Sequence, residues 1–199
     1  MSYRQFMWGL SNGVLVLMLA GGFWLGILGS ILVRSELVGA VGVLCVASLL
    51  LGFVHLRRKS AGFILAEMKN GTEEQRLSLQ RIRRGLRWAV LLESVLAAIA
   101  VGSCEYFHRL DLIWPALGIA ISLHFVPLGM LFRVRPYYFT AVCGAVACLI
   151  GLVAFTSPTN TLLASSAMCL NMWGTAAWLI LRSEAIAHSA IHPSIAVAF

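Results

Sequence analysis

Residues 113–138 read IWPALGIAISLHFVPLGMLFRVRPYY, and the fold follows from how such a stretch can satisfy its own backbone. It opens with about twenty mostly apolar residues, the length a helix needs to cross a hydrocarbon core. Arg133 and Arg135 close it, followed by Pro136, Tyr137 and Tyr138. Charge and aromatic rings together mark a membrane–water boundary. Two residues inside the run interrupt it. His124 is costly in hydrocarbon and needs a partner. Pro127 offers no backbone N–H and crowds the preceding turn, so the carbonyl it frees must be satisfied by a neighbouring helix, a side chain or a water. A polar side chain and a broken hydrogen-bond ladder on adjacent turns make an intramembrane site, or a plain helix kink at Pro127.

The composition agrees with this reading. Of the 199 residues, 60% are hydrophobic and 12% charged, and the mean hydropathy is +0.88. A soluble domain is about half apolar and about a quarter charged. The expectation is one integral membrane domain over 1–199. It is an all-α bundle of six transmembrane helices near 6–33, 37–56, 88–103, 113–132, 138–155 and 161–181. The first span is too long for a signal-peptide core and is read as retained.

The formal charge of +7 is concentrated. Lys and Arg at 57, 58, 59, 69, 76, 81, 83, 84 and 87 make nine of the fifteen. Beside a membrane, this reads as a basic amphipathic cytoplasmic segment, 57–87. Asn70-Gly71 is a turn signal. Thr72-Glu73-Glu74-Gln75 has the spacing of a capping box that starts a helix running into the third span. Leu79, Ile82 and Leu86 share one face, and Arg76, Arg83, Arg84 and Arg87 are the candidate lipid-headgroup contacts. Loops 1–2, 3–4 and 5–6 carry only Arg34 and Arg109. The positive-inside rule therefore predicts both termini in the cytoplasm. No nucleic-acid motif accompanies the basic residues.

Gly22, Gly26 and Ser30 recur every four residues, which lets a second helix approach closely. Close packing inside the bundle is the expectation there, and Asn12 is read as a packing residue. Cys45, Cys143, Cys148 and Cys169 lie in apolar runs and Cys104 at a span end. They are read as small apolar residues. No Cys/His metal spacing occurs. His188 and His192 are four apart, but a zinc site needs further ligands, so neither metal nor cofactor is expected. His55, at the end of the second span, is read as interfacial.

The sharper signal is a constellation. Glu93 lies about five residues past Trp88 on a helix going outward, and His124 eight residues before Phe132 on one coming inward. At about 1.5 Å rise per residue their depths are roughly 8 and 12 Å. A short connection makes these helices antiparallel neighbours, so Glu93 and His124 can meet and share a proton or form an ion pair. Asn171, roughly 15 Å deep, could add a hydrogen bond. Small-solute or ion transport, or ligand binding at Glu93, His124 and Asn171, is the leading reading. The alternatives are a non-catalytic scaffold with a structural clasp, and a lipid-modifying enzyme. No G-x-S-x-G, H-E-x-x-H or phosphate-binding loop is present, which disfavours an enzyme. The partners expected are the bilayer, anionic lipids at the cytoplasmic face and a small-molecule ligand. Self-association is left open.

At SLHFVPLGMLFRVRPYY the chain resembles a group of small bacterial multi-span membrane proteins of unassigned function. Their His-Phe-x-Pro-Leu core is followed by Leu-Phe-Arg and a tyrosine pair. His124, Phe125, Pro127, Leu128, Leu131, Phe132, Arg133, Tyr137 and Tyr138 carry the resemblance. It implies a bacterial inner-membrane location and supplies no catalytic residue, substrate or partner.

Overall fold

A computed structural model describes residues 3–32, 35–60, 73–132 and 134–186. Six long helices follow one another: α1 (Tyr3–Ile31), α2 (Ser35–Lys59), α3 (Glu73–Tyr106), α4 (Ile113–Phe132), α5 (Pro136–Ala154) and α6 (Thr159–Leu181). A short 3-10 turn, Leu110–Leu112, precedes α4. Among the described residues there is no strand. The Asn70-Gly71 turn, the Thr72 cap and the His188/His192 pair lie outside the described residues.

Helix ends follow local chemistry. Pro136 sits in the first turn of α5, where its missing N–H costs nothing. α3 ends with His108 at φ 55°. There the Arg109 N–H donates to the Cys104 carbonyl at 2.8 Å, and the His108 N–H to the Glu105 carbonyl at 3.0 Å. This is the two-bond closure of a Schellman cap. α3 has 34 residues, about 50 Å of helix, against about 30 Å of hydrocarbon. The basic amphipathic segment from Glu73 onward is therefore continuous with the third apolar run.

Five helices are long and apolar enough to cross a membrane, by length and composition: α1 through α5. Where six such spans were expected, α6 falls outside the set. It carries Asn160, Thr161, Ser165, Asn171 and Thr175. Its neighbours explain the tolerance, since α6 packs against α1, α5, α4 and α2. A helix wrapped by protein needs fewer apolar residues than one wrapped by lipid. Several apolar helices of this length are compatible with a multi-pass integral membrane protein.

The packing order runs α2, α1, α6, α5, α4, α3. Successive helices alternate in direction. Lys59 at the end of α2 pairs with Glu184 beyond the end of α6. At the opposite end, the Asn160 side chain donates to the Asp111 carbonyl at 2.9 Å. The basic residues gather at the first of these ends: Arg57, Arg58, Lys59, Arg135 and Arg182, with Arg81, Arg84 and Arg87 on the lower half of α3. α1 buries Met7, Leu10, Val14, Leu17, Met18 and Trp24, a three-and-four spacing that makes one stripe. Met168, Met172, Ala176 and Leu179 of α6 belong to the same buried cluster. Trp173 Nε1 donates to the Met18 carbonyl at 3.1 Å and ties the two helices together.

That stripe decides which small residues of α1 matter. A Cβ at Gly21 would run into the Trp173 ring, and one at Gly13 into the Tyr137 hydroxyl. At Gly22 and Gly26 it would meet no described atom within 4 Å. Gly26 and Ser30 are exposed, and the Ser30 hydroxyl returns to the Ile27 carbonyl. Close approach of α1 to its neighbours uses Gly13 and Gly21 rather than Gly22, Gly26 and Ser30. The buried stripe through Met18 and Trp24 turns Gly21 into the seam and its neighbour Gly22 away from it.

Candidate functional site

The seam of α3 against α4 is built on a four-residue step of small side chains. Gly85 lets α4 come so near that a Cβ there would stand 2.7 Å from a Leu131 methyl. Ala89 is 2% exposed. Glu93 is the next residue on this row, so its carboxylate is carried into the seam by the helix period. From α4, His124 enters the same seam and is 7% exposed. Its Nε2 lies 3.7 Å from Glu93 Oε2.

The other ring nitrogen of His124, Nδ1, is 2.9 Å from the Ile121 carbonyl. A carbonyl only accepts, so Nδ1 carries a hydrogen and Nε2 is left to face the carboxylate. One further proton then decides the state of the pair. On Glu93 it leaves two neutral groups, and on Nε2 it makes an ion pair. The summed charge is zero in both, which is how two ionisable groups can share a low-dielectric seam. The Phe125 ring, 4.6 Å from the imidazole centroid to centroid, closes one side. The Glu93 side chain is 33% exposed, so the pair is dry at the histidine and open at the carboxylate. Pro127 lies inside α4, which continues to Phe132.

Asn171 does not join them. Its Nδ2 donates to the Thr140 carbonyl at 2.7 Å, and the Thr140 and Thr175 hydroxyls are 2.6 Å apart. This second polar cluster holds α5 to α6, on the far side of α4 from α3. The rise along a helix gives Asn171 a depth but does not say which way α6 turns it. Of the proposed headgroup contacts, Arg84 and Arg87 are exposed on α3. The side chains of Arg76 and Arg83 lie outside the described ones. His55 is exposed. All five cysteines are free. Among the described residues no group of three or more His, Cys, Asp or Glu could hold a metal ion.

Two features escaped sequence reasoning. Arg57 belongs to the basic cluster by sequence, yet its Nη2 donates to Asn12 Oδ1 at 2.7 Å. Its guanidinium also sits 5.7 Å from the Trp8 ring and 5.3 Å from the Phe53 ring. It is a tie between α1 and α2. Arg57→Ala should cost about 2–3 kcal/mol, from one charged hydrogen bond and two cation–π contacts. Arg57→Lys should recover part of it, while the exposed Arg58→Ala should change stability by less than about 0.5 kcal/mol. Thermal unfolding in detergent checks this, and equal shifts for Arg57→Ala and Arg58→Ala would refute it. The second feature is a cleft of about 780 Å³ between α5 and α6, lined by Arg135, Phe139, Asn171, Thr175, Trp178 and Arg182 among others. Neither Glu93 nor His124 lines it.

At the two ends of the bundle, exposed ion pairs set local charge. Arg109 donates to both carboxylate oxygens of Asp111, at 3.1 and 3.2 Å. At the other end, the hydrogen bond from Lys59 holds the Glu184 carboxyl below its ordinary value.

Comparison of the chain with protein families, curated proteins and solved structures finds no match.

Proposed function

We propose that this chain is a multi-pass membrane scaffold or interaction protein, in which Glu93 and His124 form a structural clasp. The observation that carries the reading is the position of the pair. It bridges the seam where the long helix α3 meets α4, its principal partner in the bundle. A cleft of about 780 Å³ lies elsewhere, between α5 and α6, and is lined by neither residue. On this reading the clasp fixes the rotation of α3 and so presents its basic half, including Arg84 and Arg87, to anionic lipid at the cytoplasmic face of a bacterial inner membrane.

Two measurements test it. Reporter fusions after residues 60, 108, 134 and 158 should read inside, outside, inside, outside, as six alternating spans with cytoplasmic termini require. In proteoliposomes with an imposed pH gradient, the wild-type protein should leak protons no faster than empty vesicles. Meanwhile His124→Ala should raise hydrogen exchange in residues 88–103 selectively. A proton flux in the wild type that Glu93→Gln abolishes would replace this reading with proton-coupled transport.

A further inference from the structure

We propose a second site: the cleft between α5 and α6 seats one acyl chain of an anionic phospholipid, with its phosphate held between Arg135 and Arg182. The cleft opens where the start of α5 and the end of α6 come together, and each contributes one arginine to its lining. Both arginines are exposed. An arginine pair suits a phosphate because each guanidinium offers parallel N–H donors to two phosphate oxygens.

Deeper in, the walls become apolar. Phe139 and Leu170 are each 72% exposed and Trp178 is 43% exposed. Asn171 and Thr175 lie at the inner end, but the Asn171 amide donates to the Thr140 carbonyl and the Thr175 hydroxyl is bonded to Thr140. Their polarity is turned into the protein, so the cleft offers the occupant hydrocarbon beyond the arginines and not a row of donors. From Arg182 to Asn171 is eleven residues, about 16 Å along α6. That is about half of a 30 Å hydrocarbon core, the reach of one leaflet. A charged mouth, an apolar trough and a length of one leaflet together select a phospholipid over a free anion, which has nothing to place in the trough. They also select an anionic lipid over a zwitterionic one, whose amine would meet two cations.

Trp178 lines the cleft and reports on its content. The full-length protein is placed in nanodiscs of phosphatidylcholine containing a small fraction of phosphatidylglycerol brominated on its acyl chains, bromine being a contact quencher of indole. The signal is the emission lost by the wild type beyond that lost by Trp178→Phe. Brominated phosphatidylglycerol should quench it at a mole fraction on the order of tenfold lower than brominated phosphatidylcholine, as two surface arginines imply. Arg135→Gln with Arg182→Gln should erase that preference without moving the thermal midpoint. Gly174→Leu should abolish quenching while leaving both arginines in place. Gly174 lines the cleft and a Cβ there meets nothing within 4 Å, so the larger side chain enters the trough without straining the fold. Equal quenching by the two lipids, a preference that survives the double substitution, or no Trp178-dependent quenching because the chain's own residues or a second copy fill the cleft, would each overturn the site.

Discussion

Valine at Gly144 should lower the thermal midpoint of the detergent-purified protein sharply, by an amount equivalent to about 2–4 kcal/mol. Gly144 stands on α5 where α4 and α6 converge. A Cβ there would run into the Ser122 hydroxyl of α4, and would lie 3.0 Å from Asn171 Nδ2 and 3.1 Å from Met168 Sδ of α6. None of these can retreat freely. Ser122 is fully buried and donates to Met168 Sδ at 3.3 Å. Asn171 is tethered to the Thr140 carbonyl. Overpacking of a tight core costs about 1–3 kcal/mol, and displacing Asn171 from its carbonyl adds about 1 more. Gly174→Ala is the matched control, because its Cβ meets no atom within 4 Å. It should be neutral or stabilise by about 0.5–1 kcal/mol, as removal of a mid-helix glycine does. If Gly144→Val proved as stable as Gly174→Ala, the convergence of three helices at this residue would be wrong.

The contrast between Gly144 and the Gly22/Gly26/Ser30 stripe shows what a sequence of this kind reveals. Helices are legible because an apolar run in a bilayer must close its own hydrogen bonds. The 113–132 run therefore becomes one helix with Pro127 inside it. Level along the helix axis is legible too, since the rise per residue is constant. That arithmetic brought Glu93 and His124 to similar depth, and a short connection made their helices neighbours; they lie 3.7 Å apart. Rotation about the axis is much less legible. In a soluble helix a polar face announces the outside, whereas here both faces of most helices are apolar. Nothing in the residues of α1 says that Gly21 faces Trp173 while Gly22 faces away. For the same reason the depth of Asn171 does not give its neighbours, which are Thr140 and Gly144 of α5. Arg57 was hidden differently: a guanidinium in a basic run looks solvated until Trp8, Asn12 and Phe53 are seen around it. The polarity of α6 was a signal of its central position. It becomes readable only once its contacts with α1, α2, α4 and α5 are known.

Substitutions at Glu93 and His124 should show coupling that neither residue alone explains. Alanine at His124 removes a ring that is 7% exposed and leaves the carboxylate facing an apolar seam. Alanine at Glu93 leaves Nε2 without an acceptor or donor opposite it. Stranding one buried polar group costs about 1–3 kcal/mol. Glu93→Ala should fall at the lower end because the side chain it removes is one-third exposed, and the imidazole it leaves keeps its Nδ1 bond to the Ile121 carbonyl. His124→Ala should fall at the upper end, because it also empties the space beside Phe125. In the double alanine protein the second change has no partner left to strand. Its destabilisation should therefore be smaller than the sum of the singles by about 0.5–3 kcal/mol. Glu93→Gln with His124→Gln keeps two neutral groups able to hydrogen-bond across the seam and should be the most stable of the doubly substituted proteins. The measurement is thermal unfolding in detergent at one pH for the two singles, the double alanine and the double glutamine. Additive shifts would mean that the side chains do not interact in the folded protein. The proposed clasp would then lose its basis, and the hold of α4 on α3 would rest on the close packing that Gly85 and Ala89 allow.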